Sequence, residues 1–134
     1  VEFITDLPAL PIHINGLEAR LAQVFVNLIT NAISFCEDGD AVRVWVRRRD
    51  DRVLVVVEDT GPGIPEQALT KIFKRFYSER PVGQFGNHSG LGLAISKQIV
   101  EAHGGVIWAA NIRPTEDDAT SEPLGARFVV GLPV

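Results

Sequence analysis

From Leu21 to Phe35 the chain sets apolar side chains at three- and four-residue intervals: Leu21, Val24, Phe25, Leu28, Ala32 and Phe35. That period belongs to an amphipathic helix, because 3.6 residues per turn bring such positions onto one face. A striped helix must bury its stripe against another layer, so sheet or further helices have to pack on it. Into this helix the sequence inserts Asn27 and Asn31 one turn apart, with Gln23 one turn earlier. Four-residue spacing places all three on a shared face. Asparagine suits a helix interior poorly, since its amide competes for backbone hydrogen bonds. Two readings fit: a solvated or buried polar stripe, or a neutral oxygen ligand for Mg²⁺. That ion takes one or two protein oxygens and completes its shell with phosphates and water.

The rest of the chain supplies the covering layer. Val1–Thr5 and 11–14 read as short strands with a turn between them. Asn15 is the expected N-cap of the long helix, with Glu18 three residues on, and Glu37-Asp38-Gly39-Asp40 ends it. Val42, Val44 and Val46 alternate with Arg43, Trp45 and Arg47, the signature of a strand with two unlike faces. Trp45 predicts that strand 41–49 uses both. The arginines at 43, 47, 48, 49 and 52 are interrupted by Asp50 and Asp51, so they read as a solvated hairpin tip rather than a binding patch. Val53–Glu58 forms the return strand. Pro65 is placed to open a short helix carrying Ala68, Leu69, Ile72 and Phe73. Residues 77–89 hold little periodicity and read as a mobile loop. Leu91, Ile95, Ile99 and Ala102 mark a second long helix, stopped by Gly104-Gly105. Val106–Ile112 and Ala126–Leu132 form a closing strand pair, with a polar, acidic surface loop over 113–125. Strands and helices mix without regular alternation. The expected fold is therefore an α/β (α+β) two-layer sandwich: a mixed sheet of five or six strands, covered on one face by about three helices.

Length and charge narrow the function classes. At 134 residues the chain is one domain, 1–134. Its net charge of −4 argues against a dedicated nucleic-acid binder. No apolar run approaches the ~20 residues that span a bilayer. Cys36, the single cysteine, cannot form an internal disulfide and reads as a small helix-end residue. A start at Val1, already strand-like and without methionine, leads us to expect a piece of a longer protein.

Two further motifs carry chemistry. Asp59-Thr60-Gly61-Pro62-Gly63 follows a strand, and its glycines let a planar ligand lie against backbone. A carboxylate there accepts a hydrogen bond from an amino group such as adenine N6; guanine presents a carbonyl instead. An ordinary Asp-x-Gly turn is the plain alternative. Ser89-Gly90-Leu91-Gly92-Leu93 opens a helix, where free N–H groups and the dipole favour an anion. It lacks the lysine of a Walker A loop and the third glycine of a dinucleotide fingerprint.

Together these residues resemble the catalytic ATP-binding domain of bacterial sensor histidine kinases, within the gyrase–Hsp90–MutL superfamily and its Bergerat ATP-binding fold. Asn27-Leu28-Ile29-Thr30-Asn31-Ala32 is similar to that family's N box and Asp59–Gly63 to its G1 box. Lys71-Ile72-Phe73-Lys74-Arg75-Phe76-Tyr77 resembles the F box, and Ser89–Ile95 the G2 box. His103-Gly104-Gly105 matches the usual helix end, and the run 86–105 is most like the envelope-sensing kinases of alphaproteobacteria. The resemblance implies that Asn27 holds Mg²⁺, Asn31 contacts ATP phosphates, Asp59 reads adenine, and the amides of Gly90, Leu91, Gly92 and Leu93 bind phosphates. It further implies nucleotide contacts at Gly61, Gly63, Ile64, Arg75 and Ser89, an ATP lid at 77–89, and Phe73 and Phe76 as core anchors of that lid.

Three departures stand out. Ser34 sits where many relatives carry Lys or Arg, leaving Arg75 or Arg80 as candidate charge partners. His88 replaces a common glycine. Gln23 stands where ATP-hydrolysing cousins carry a glutamate, so the site is poorly equipped to activate water. None of His13, His88 and His103 lies in a phosphoacceptor context. The resemblance thus implies Mg-ATP as ligand and γ-phosphate transfer to a histidine on a separate helical domain of the same homodimeric parent. A response regulator would be reached through that parent, an inner-membrane protein whose catalytic domain is cytoplasmic and does not itself touch the membrane. The alternatives are a stand-alone serine-kinase anti-sigma factor and a non-catalytic ATP-binding interaction domain.

Overall fold

The computed structural model describes residues 1–7, 16–74, 92–114 and 123–134. Among these described residues five strands form one mixed sheet in the order β1-β2-β3-β5-β4, where β1 is Glu2–Asp6, β2 Ala41–Arg49, β3 Arg52–Asp59, β4 Val106–Ile112 and β5 Gly125–Pro133. Only the β1–β2 pairing is parallel. Two α-helices among the described residues, α1 (Glu18–Phe35) and α2 (Gly92–Ala102), lie together on one face. The two-layer sandwich follows, with five strands; the strand expected at 11–14 lies outside the described residues.

The α1 stripe is buried as its spacing requires: Leu21, Val24, Leu28 and Ala32 pack on Val42, Val53, Val55, Val57, Phe128 and Val130. Its start differs from expectation. Glu18 is the first helical residue and Leu17 the cap, whose N–H donates to His103 Nε2 at 3.0 Å. Asn15 lies outside the described residues; with Leu17 as cap, Glu18 is the first helical residue rather than the third, where a capping box would need it. Cys36 caps the other end of α1. The expected third helix is a correction as well. Glu66–Ala68 and Lys71–Phe73 are two separate 3₁₀ turns. Each is a single tight turn, which buries Ala68 and Ile72 without needing a continuous helix. Phe73 is anchored edge-on against Phe128, with ring centroids 6.2 Å apart.

The hairpin turns at Asp50-Asp51, with Asp50 at φ 51°, and the arginines at its tip are exposed. The face opposite α1 and α2 is not bare. Trp45, Val56, Val129 and Trp108 form one row across β2, β3, β5 and β4. The tryptophans flank the valines, and Val56 and Val129 are buried there. Trp45 Nε1 donates to Glu58 Oε1 at 2.6 Å, while Arg127 Nε donates to Glu58 Oε2 at 2.8 Å. Strand 41–49 therefore uses both faces.

Candidate functional site

The polar residues of the α1 stripe meet the start of α2. Asn27 Nδ2 lies 3.3 Å from both the Gly92 carbonyl and Ser96 Oγ. A carbonyl only accepts, so the Asn27 atom facing it must be the amide nitrogen. Both hydrogens of that nitrogen are then committed, and among the described residues nothing donates to Asn27 Oδ1. Ser96, fully buried, was not singled out from sequence; a serine amid Ala94, Ile95, Ile99 and Val100 was its signal. Asn31 lies half-buried one turn further along α1. Ser34 Oγ donates back to the Asn31 main-chain oxygen at 2.6 Å. Gln23 is exposed.

The Asp59 turn lies near the C-terminal end of α1. A side chain at Gly61 would come within 3.1 Å of the Phe35 carbonyl. From Asn27 to Phe35 is eight residues, or about 12 Å along the helix axis. One helix thus links the α2 start to the acidic turn. Asp59 is 3% exposed, and its Oδ1 accepts from the N–H of Gly61 at 2.9 Å and of Ala126 at 3.4 Å. Burial pushes its carboxyl above the usual range, while those two amides pull it back. Cys36 is likewise raised, first by burial and then by the charge of Asp59. Thr60 fixes the base of the turn: Ala41 N–H donates to its Oγ1 at 2.9 Å, and its own N–H to Ala41 O at 3.1 Å.

Gly63 is confined. Its φ is +83°, and a Cβ would stand 2.7 Å from Pro123 and 2.9 Å from Asn111 Oδ1. Asn111 also escaped the sequence reading. Its Oδ1 accepts from Ile64 N–H and its Nδ2 donates to Ile64 O, each at 2.7 Å. Arg113, expected in a solvated loop, is instead almost covered and ion-paired with Glu66. That pairing, and then Asn111, hold the Glu66 carboxyl below its usual range. An open depression of about 510 Å³ lies between the Pro62–Glu66 turn and Arg113 and Pro123.

The structure thus brings Asn27 to Gly92, and Gly61 against the end of α1. Leu93 follows in the first turn of α2. Arg75, Ser89, Gly90 and Leu91, together with Phe76, Arg80, His88 and the 77–89 segment, lie outside the described residues. Chemically, the site offers one oriented neutral oxygen, one buried carboxylate and a helix start.

Comparison with known proteins adds the family. The sequence profile of the Histidine kinase-, DNA gyrase B-, and HSP90-like ATPase family matches residues 16–134. The sensor protein ChvG of Rhizobium meliloti is 45% identical over 96% of this chain. The chain spans 22% of that relative's length. Among solved structures, the mycobacterial sensor histidine kinase MprB superposes with a TM-score of 0.82 at 32% identity, over 98% of this chain and 80% of that one. Full-length ShkA, solved in complex with AMPPNP, gives 0.78 at 29% identity, over 98% and 25% respectively.

Proposed function

Because the chain belongs to the Histidine kinase-, DNA gyrase B-, and HSP90-like ATPase family, we propose that it binds Mg-ATP and presents the γ-phosphate to a histidine on a separate helical domain of a two-component sensor kinase. The observation that carries this reading is the locked amide of Asn27. Its nitrogen is held by Gly92 and Ser96, which leaves the oxygen as the atom of this amide that could take a ligand. A single neutral oxygen suits Mg²⁺, whose remaining positions fall to phosphate oxygens and water. Bound there, the ion would neutralise charge on the phosphoryl group in transit.

The chain's own residues supply position and field. Asp59 accepts the adenine amino group; the Gly61–Ile64 turn backs the base. Asn31 and the amides of Gly90, Leu91, Gly92 and Leu93 meet the phosphates, where the α2 dipole favours negative charge. Arg75 and Ser89 complete the phosphate contacts. Gln23 lacks a basic carboxylate, which supports transfer to an acceptor over hydrolysis by water. Support also comes from ShkA, solved with an ATP analogue, and from the kinase ThkA, solved with its response regulator TrrA at 28% identity. A response regulator is accordingly the downstream partner of the parent protein. No helix among the described residues is long and apolar enough to cross a membrane; an inner-membrane location is proposed for the parent protein only.

Calorimetric titration tests this. ATP should bind more tightly with Mg²⁺ than with a chelator, and GTP should bind far more weakly than ATP. Equal affinity for both purines, or no heat from a folded sample, would overturn the assignment.

A further inference from the structure

We propose that Asn111 is a positioning residue for the adenine end of the site, acting through the main chain of Ile64; this rests on the nucleotide reading above. Asn111 pairs with Ala126 across β4–β5, and Ala126 pairs with Asp59 across β5–β3. The three residues form one row, so their side chains share the helix-covered face. Asp59 and Asn111 stand two strands apart, about 10 Å. Ala126 between them is small enough to leave room for the turn 61–64.

That turn is suspended from both posts. Asp59 Oδ1 receives the Gly61 N–H at one end, and Asn111 brackets Ile64 with both amide atoms at the other. The Ile64 N–H only donates and its carbonyl only accepts, so the Asn111 amide has a single workable orientation. Neither alanine nor an ionised aspartate reproduces it: alanine has no polar atoms, and aspartate sets an acceptor against the Ile64 carbonyl. Strand alternation makes the point from the other side. Ile107 and Ala109 pack against the core on this face, yet the next position toward the turn is an amide. It replaces the backbone partner that the turn would otherwise lack.

A turn held this way keeps Gly63 and Ile64 at fixed depth beneath the base. The phosphate end, built on Asn27 and the α2 start, is held independently. Loss of Asn111 should therefore weaken base recognition and leave the metal-dependent part of binding alone.

The experiment is ATP titration of wild type, Asn111→Ala and Asn111→Asp, with Mg²⁺ and with chelator, alongside thermal melts. For both variants the ATP Kd should rise about ten-fold in each condition, leaving the ratio between conditions unchanged. In transfer assays with a histidine-bearing domain, KM should rise while kcat holds. Should Asn111→Ala fail to fold, Asn111→Ser, which keeps one hydrogen-bonding group, should show a smaller rise of the same kind. ATP affinity within two-fold of wild type in every folded variant overturns the inference, even if melting temperatures drop. So does a collapse of the Mg²⁺ ratio, which marks general loosening. Failure of wild type itself to bind ATP refutes the nucleotide reading, and this inference with it.

Discussion

Asp59 carries a conflict that a ligand would resolve. Its carboxylate is buried with two backbone amides for company, and burial is the larger effect, so its pKa is raised. A carboxyl raised on folding contributes stability that is fully present below the ordinary carboxylate range and is lost as pH rises through the raised folded value. At neutral pH the ionised group therefore costs the empty domain stability, and an amino donor such as the proposed adenine N6 would offset that cost. Asp59→Asn should lower ATP affinity by about 1.5–3 kcal/mol without lowering the neutral-pH melting temperature of the nucleotide-free domain. In wild type, acidification should weaken ATP binding from a higher pH than an ordinary carboxylate would dictate, and the variant should lose that dependence. Calorimetry across pH reads both; an unchanged affinity in Asp59→Asn removes the residue from the site. Ser96 poses the matching question for Asn27. Ser96→Ala deletes one of two acceptors that orient the amide, worth about 1 kcal/mol. The Mg²⁺ enhancement of ATP affinity should shrink several-fold, with metal-free affinity preserved. An undiminished enhancement would mean that Gly92 alone holds the amide.

Among the elements, β5 is the least forgiving. At its first residue a side chain cannot be built: a Cβ on Gly125 would lie 1.8 Å from the Asp59 carbonyl oxygen, with backbone as the obstacle. Gly125→Ala should destabilise the domain by about 3 kcal/mol, since moving backbone is harder than turning a side chain. Denaturant titration reads this, and a midpoint shift worth under 1 kcal/mol would contradict the close approach. Gly125 also shows where sequence reasoning stops. The α1 stripe and the Val42–Val46 alternation were legible because each encodes its own period, and their partners only had to exist. Asn27, Asn31 and Asp59 were legible because polar groups at those places violate the local pattern. Gly125, Asn111 and Ser96 depend on atoms 66, 47 and 69 residues away, which no local window contains. The third helix was misread because Ala68, Leu69, Ile72 and Phe73 satisfy a helical period. Two single 3₁₀ turns bury Ala68 and Ile72 equally well.

For the molecule as a whole, the proposed kinase function raises the question of which histidine would receive the phosphoryl group. His103 is the sole histidine among the described residues, and both its ring nitrogens are engaged. Nε2 accepts from the Leu17 N–H at 3.0 Å, and Nδ1 stands 2.7 Å from the Ile99 carbonyl. Because a carbonyl only accepts, Nδ1 carries the proton and Nε2 has the lone pair already in use. The ring ties the end of α2 to the start of α1, while Asn27 contacts Gly92 and Ser96 at the other end of α2. Phosphorylating His103 would break that tie and present no group to the candidate site. That engagement of His103 agrees with the proposal that the acceptor histidine belongs to a separate domain. Incubated alone with labelled Mg-ATP, the chain should acquire no stable label. With a matching histidine-bearing helical domain, acid-labile and base-stable phosphate should appear on the partner, and Asp59→Asn should slow its appearance. Acid-stable label on the partner would point instead to transfer onto a hydroxyl. Label on the chain itself that vanishes in His103→Gln would show that the tie between the helices opens, contrary to the geometry described.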